Sequence, residues 1–598
     1  MGDICPFSIF ESVERASPAW RAACSSVQSR SLRSSRTRWP RLSGSACTSS
    51  PVSRAMRIRE RGSVGVMAWV YRQPVSDLQL APWPPSTGAM TSILDLGPPP
   101  PCPQPFNMAA HVLGRAAAQP DKIALAILSP ARAERWSYGR LEAAVRGIGT
   151  GLLQRGLVPG DVVLLRLGNT VEFPLAYLGA IAAGLVPVPT SSQLTEREVA
   201  ALLPDLAPKA VLHDPRVPCP ADPGCPVIDT EALAAMHDLL PCAYAMGDPD
   251  RRAYIVYTSG TSGRPRGVEH AHRALWARGM MHAGWYGLGA EDRLLHAGAF
   301  NWTFTLGTGL MDPWTVGATA LIPAEGVPIE ALPLLLKRHD ATLFAAAPGV
   351  YRKLLAHHDR LDLPKLRHGL AAGEKLSETL RARWNAATGT MVYEAFGMSE
   401  CSTFISGAPG LPAVPGTLGR PQPGRRVAIL GADGEPVPLG TEGTIAVARS
   451  DPGLMLGYLN APEETAARLV GEWFLTGDQG ALDAEGMITY LGRADDMMNA
   501  GGYRISPLEV EAALLTHPGI REVAVTDLEI KADVRVIAAF YTGPEDIPEA
   551  TLTAFAAERL ARYKQPRVYR RLDTLPTGAN GKILRRALRQ KETDHGQA

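Results

Sequence analysis

Net charge is the first thing this chain lacks. Its 61 Lys and Arg nearly cancel 59 Asp and Glu, leaving +2 at neutral pH, too weak a field to gather nucleic acid or an anionic membrane surface. It also lacks an apolar run of the roughly 20 residues that a bilayer-spanning helix needs. The longest candidate, residues 175–189, is broken by Gly179, Gly184 and Pro187. Cysteine is sparse, 8 in 598 residues with no paired spacing, which argues against a disulfide framework and for reduced thiols in a cytoplasmic protein. Cys219 and Cys225 near His213 do not have zinc-site spacing, and no GxxxxGK[ST] phosphate loop occurs. What is left, 45% hydrophobic and 20% charged, is material for a large core, more than one domain and a small-molecule substrate.

Residues 1–89 differ from the rest. Ser, Arg and Pro dominate residues 16–61 and no apolar period persists, so this stretch is expected to be a disordered leader, or non-native sequence from a start placed upstream of Met90. From Lys122 the pattern alternates: a strand is predicted over 123–128, a helix carrying Leu141, Val145, Ile148 and Leu152, a strand over 162–167, a helix over 171–183 and a strand from Ala210. That alternation predicts an α/β fold, a large N-terminal domain of mostly parallel sheets covered by helices. Near Arg493 a Gly- and Asp-rich segment marks a candidate hinge. Beyond it a helix from Pro507, strands near 523–525 and 534–541 and a helix over 550–562 predict a small α+β domain. The expected organisation is 90–493 and 494–598.

The most informative stretch is YTSGTSGRPRG, residues 257–267, directly after the apolar run 253–256. Gly260, Gly263 and Gly267 let backbone approach a ligand, while Thr258, Ser259, Thr261 and Ser262 offer hydroxyls, with Arg264 and Arg266 beside them. A Gly/Ser run alone is a flexible polar loop; its place after a buried strand makes it a phosphate cradle. Five further blocks follow in order: AAGEKL at 371–376, YEAFGMSE at 393–400, TGD at 476–478, GRADDMMNAGGYRISPLEVE from Gly492 and LPTGANGKILRRAL from Leu575.

In this order the six blocks resemble the signatures of adenylate-forming enzymes, the superfamily of acyl-CoA synthetases, aryl-CoA ligases and adenylation domains, over roughly residues 105–588. The resemblance implies an ATP-dependent acid-thiol ligase that makes an acyl-AMP and passes the acyl group to coenzyme A, using Mg2+. Under it Ser399 resembles the phosphate-contacting residue and Glu400 the Mg2+-holding carboxylate. Asp478 resembles the ribose-binding carboxylate, and Gly373 with Glu374 the segment that packs on adenine. Arg493 and Arg504 match arginines that contact ribose or phosphate oxygens, and Asp495 falls at the pivot of the mobile C-terminal domain. Lys582 matches the lysine that meets substrate carboxylate and α-phosphate during attack. Gly502, with Gly501, resembles the glycines that admit the pantetheine thiol. That approach serves CoA and an acyl carrier protein alike, so both acceptors stay open, as does a homodimer.

Two departures from the pattern keep its chemistry: Arg266 stands where the family carries Lys, and Ser262 where it carries Thr. Cys401, beside Glu400, has no His partner and is expected to be packing. For the acid, the block FNWT at 300–303 has neutral Asn301 where amino-acid-activating relatives have Asp, which disfavours an α-ammonium. Gly397 stands where acetate-specific members have Trp, which leaves room for a larger acid, and Trp302, Phe304 and Met398 are the expected apolar walls. The region resembles the benzoate-CoA and medium-chain acyl-CoA ligase branch.

Overall fold

The computed structural model describes residues 91–259, 265–494, 498–500, 503–531, 534–560, 562–577, 583–585 and 587–590. The strand Ile123–Leu128 is buried along nearly its whole length, which is why it reads as a continuous apolar run and not as an alternation. The helix Tyr138–Gln154 begins where the Ser137 side chain accepts from the Arg140 amide, and it buries Leu141, Val145, Ile148 and Leu152. That spacing is one helical face. Helix Glu172–Ala182 is buried all round except at its first residue.

Two sheets carry the α/β part. A four-stranded sheet orders Val186–Pro189, Val162–Arg166, Ala210–His213 and Val227–Asp229, all parallel. A nine-stranded sheet has six mutually parallel central strands, in the order Met391–Met398, His368–Ala372, Leu343–Ala346, Arg293–His296, Thr319–Pro323 and Ile123–Leu128. Its edges are antiparallel: Ala133–Ser137 on one side, Ser402–Ser406 and Arg420–Pro421 on the other. One large cluster, including Trp314, Phe173, Leu141 and Ile181, fills the space between these sheets and their helices.

The sequence pattern did not announce a six-stranded antiparallel sheet. Ile93–Asp95, Arg426–Leu430, Gly443–Ala448, Trp473–Leu482 and Leu469–Val470 follow in order, with Ile488–Arg493 also on Trp473–Leu482. Short Gly- and Pro-containing connections such as residues 431–442 favour hairpins over helical crossovers here.

Beyond residue 494, strands Glu522–Lys531 and Val534–Thr542 pair antiparallel and Val568–Arg571 joins in parallel. Helices Pro507–Leu514 and Glu549–Ala557 cover them around Val510, Leu514, Val525, Ile537 and Leu552. The second helix stops at Ala557, short of the expected 562, and a 3-10 turn takes Arg562–Lys564. Arg352, on helix Pro348–His357, meets Glu522 at 2.8 Å; both are well exposed, so the pair is worth no more than about 1 kcal/mol. No helix among the described residues is long and apolar enough to cross a membrane.

Candidate active site

The glycine-rich motif begins and ends on an antiparallel strand pair. Strands Arg252–Ser259 and Pro265–Ala271 pair with Tyr257 opposite Gly267, Thr258 opposite Arg266 and Ser259 opposite Pro265, so Thr258 and Ser259 arrive at its end. Gly260, Thr261, Ser262 and Gly263 lie outside the described residues. Gly267 serves packing, not ligand approach: a Cβ there would stand 3.0 Å from Leu459 Cβ and 3.3 Å from Ile255 Cγ2. Arg266 pairs with Glu464 at 2.6 Å and lies 5.4 Å from the centre of the Tyr458 ring. A phosphate would have to compete with that half-exposed carboxylate.

Ser399 and Glu400 follow the strand Met391–Met398, which carries an irregularity in its pairing between Phe396 and Gly397. Glu400 is buried, and its Oε1 accepts from the Tyr458 hydroxyl at 2.7 Å. Burial first, and then Glu400, hold the Tyr458 phenol well above its ordinary range, so it stays a donor. Among the described residues no group of three or more His, Cys, Asp or Glu could hold a metal ion by itself. A single carboxylate nonetheless fits Mg2+ that reaches the site on nucleotide phosphates.

Asp478 lies on strand Trp473–Leu482, directly opposite Arg493 in register. It is 4% exposed; Tyr490 donates to Oδ1 at 3.0 Å and Arg493 approaches Oδ2 at 3.4 Å. Thr476 Oγ1 accepts from the Asp478 amide at 3.0 Å and fixes the strand locally. Such an oriented, acceptor-only carboxylate suits a pair of sugar hydroxyls. Arg504 lies on the short strand Tyr503–Ile505, and the Ser506 hydroxyl donates to the Leu491 carbonyl, tying the two sides of the expected hinge. Asp495, Gly501, Gly502 and Lys582 lie outside the described residues.

Gly373 follows strand His368–Ala372 with φ +92°, where a Cβ would stand 2.6 Å from Trp302 Cζ2. Glycine is therefore required twice, for backbone and for space. Glu374 is half-buried beside it.

A small cavity, partly open to solvent, is lined by Asn301, Thr303, Ser399, Tyr177, Tyr254 and His270 among others. The structure thus brings Asn301 and Ser399 together. Four other residues expected on the acid pocket, Trp302, Phe304, Met398 and Gly397, are not among those that line this cavity. Trp302 lies against Gly373 and packs edge-on to Phe304, ring centres 5.1 Å apart. Met398 packs into the cluster around Phe404, Tyr458 and Ile488. A Cβ at Gly397 would meet Ser402 O at 2.2 Å and Thr403 Cα at 2.5 Å. A side chain at Gly397 would therefore meet neighbouring backbone.

Residues the sequence did not single out complete the wall. His270 Nε2 lies 2.7 Å from Ser399 O. Arg278 reaches the cavity too, but its guanidinium is committed to Asp312 at 2.8 and 2.6 Å, and it also donates to Ser402 Oγ. Burial works against the Asp312 charge, but Arg278 overrides it and holds the carboxyl below its ordinary range. None of these contacts has a local sequence signal, since the partners lie 34 to 129 residues apart. Cys401 is buried and free, as expected of packing.

Residues 113–459 match the model of the AMP-binding enzymes, and residues 509–582 that of the AMP-binding enzyme C-terminal domain. A benzoate-CoA ligase of Thauera aromatica is 33% identical over 487 residues, 76% of this chain and 90% of that protein. The mitochondrial acyl-coenzyme A synthetase ACSM3 of Mus musculus is 29% identical, over 77% and 84%. Among solved structures, the anthranilate CoA ligase AuaEII in complex with anthranoyl-AMP superposes with a TM-score of 0.74 at 27% identity, covering 82% of this chain and 98% of that one.

Proposed function

The chain belongs to the AMP-binding enzymes and is an AMP-forming acid-thiol ligase that uses ATP, Mg2+ and coenzyme A, and on that premise we propose that its acid is an aryl or medium-chain carboxylic acid. The observation that carries the reading is the cavity shared by Asn301 and Ser399. An acid lodged there adjoins the residue expected to touch the nucleotide phosphate, with no carboxylate at position 301 to pair an ammonium.

In this reading Asp478 accepts the ribose hydroxyls, Arg493 and Arg504 contact ribose or phosphate oxygens, and Gly373 with Glu374 borders adenine. The strand pair carrying Thr258, Ser259 and Arg266 holds phosphate. Glu400, oriented by Tyr458, holds Mg2+, which when bound neutralises charge on the phosphates. Lys582 meets the attacking carboxylate, and residues 494–598 turn about Asp495 to bring Gly502 to the thiol's path.

The test separates the half-reactions. Lys582→Ala should lose pyrophosphate release from ATP and acid yet still convert preformed acyl-AMP plus CoA, and Gly502→Leu should do the reverse. Run over acids with and without CoA, aryl and medium-chain acids should surpass acetate and amino acids. Normal pyrophosphate release by Lys582→Ala, or preference for acetate or an amino acid, would sink the corresponding assignment.

A further inference from the structure

Arg468 belongs to none of the six sequence blocks. It follows the short helix Pro462–Ala466, on which Glu464, four residues upstream, is its natural ion-pair partner. The structure gives that carboxylate to Arg266 instead, at 2.6 Å. Half-buried itself, the Arg468 guanidinium is left without a hydrogen bond or ion pair among the described residues.

The residue is nonetheless held in place. Its amide donates to the Thr465 carbonyl at 3.1 Å, and its carbonyl accepts from the Leu475 amide at 2.8 Å. From that fixed point the side chain runs to Gly477, where φ is +79°. A Cβ on Gly477 would stand 2.7 Å from Arg468 Nη1 and 3.4 Å from Arg493 Nη2. Two guanidinium groups thus converge on the glycine that precedes Asp478, and Asp478 pairs with Arg493, at 3.4 Å. Burial and then Glu400 raise the Tyr458 phenol, while Arg468 and after it Arg266 pull the other way. The Arg468 charge is therefore felt at the Tyr458–Glu400 pair as well. Like charges held together are unfavourable until an anion joins them, and a guanidinium fork matches phosphate oxygens.

We propose that Arg468 is a further binding residue for the nucleotide, its guanidinium taking phosphate oxygens beside Gly477. The proposal rests on reading Asp478 and Glu400 as parts of the nucleotide site. It divides the work of the neighbouring cations: Arg266 must leave Glu464 to meet a phosphate, whereas Arg468 has no carboxylate to leave.

The experiment measures KM for ATP, acid and CoA with the full chain carrying Arg468→Gln or Arg468→Lys. Loss of a charge-assisted bond should raise KM for ATP about tenfold or more in Arg468→Gln, and leave KM for acid and CoA within about twofold of the parent. Arg468→Lys keeps the charge without the fork and should recover part of the loss. The guanidinium has no protein partner, so the ligand-free melting temperature of Arg468→Gln should not fall, which separates lost recognition from misfolding. An unchanged KM for ATP overturns the proposal, and so does a rise confined to CoA, whose phosphates are the other source of such oxygens. Asp478→Asn is measured alongside: a parental KM for ATP in that variant overturns instead the reading of the nucleotide site beneath the proposal, a distinguishable result.

Discussion

Replacing Asp312 with Leu should destabilise the chain by about 3–5 kcal/mol, the cost of leaving a buried charge without its partner. The geometry sets that magnitude. Asp312 is 1% exposed and accepts from Arg278 Nε at 2.8 Å, Arg278 Nη2 at 2.6 Å and the Tyr286 hydroxyl at 2.7 Å. At such separations opposite charges attract by about 4 kcal/mol with an effective dielectric near 20. The guanidinium has nowhere to go, because it lies so close over Gly307 that a Cβ there would stand 2.2 Å from Arg278 Cζ. Removing both charges together, Arg278→Met with Asp312→Leu, should recover most of the loss, since well-packed apolar replacements of a buried pair are often neutral or better. Urea unfolding of the four chains, followed by the fluorescence of the buried tryptophans Trp285 and Trp314, gives the coupling energy. A single variant within about 1 kcal/mol of the parent, or a double variant no better than the singles, would refute the reasoning.

Tyr458→Phe removes the donor to Glu400, a charge-assisted bond worth about 1.5–3 kcal/mol; pyrophosphate release should fall about tenfold and require more Mg2+, and an unchanged Mg2+ titration would count against the role given to Glu400. Gly397→Ala should cost about 1–3 kcal/mol or more by overpacking against backbone, so a narrowed acid range without lost stability would show that the position faces open space after all. Burial holds His270 and His296 at about 4 and about 3, below their ordinary 6.5; the unfolded chain therefore takes protons first, and the stability these groups confer is full above pH 6.5 and lost as pH falls toward 4 and 3 respectively, worth up to roughly 3 and roughly 5 kcal/mol. His296 has no partner on either ring nitrogen among the described residues, so His296→Leu should stay within about 1.5 kcal/mol of the parent at pH 7 while flattening the acid limb of a melting curve series; an unaltered slope contradicts the assignment.

The placement of the contiguous motifs was legible because their structure is local: Ser399 and Glu400 follow a strand, Asp478 is held on its strand by its own Thr476, and Thr258 and Ser259 end one strand of an antiparallel pair. The cavity beside Ser399 was less legible because its wall is assembled from positions 177, 254, 270, 301 and 399. No spacing rule connects them. Which way Gly397 and Met398 point was hidden for a definable reason: the pairing slips between Phe396 and Gly397, and where register slips, which side chain faces which layer cannot be counted from the motif. The antiparallel sheet was hidden in the same way, since short apolar strands look alike until their connections choose a direction.

One imidazole touches both Ser399 and the cavity. Through Nε2 His270 grips the backbone of Ser399, and its ring is part of the cavity wall. A hydrogen bond made at one ring nitrogen polarises the other, so a ligand in the cavity is felt at the carbonyl of the residue expected to touch phosphate. Thermodynamics then makes the traffic symmetrical: whatever factor the acid adds to the affinity for ATP, ATP must add to the affinity for the acid. Four dissociation constants, each ligand alone and in the presence of the other, close that cycle, and its imbalance on replacing His270 measures how much of the order in which substrates load is written into one side chain.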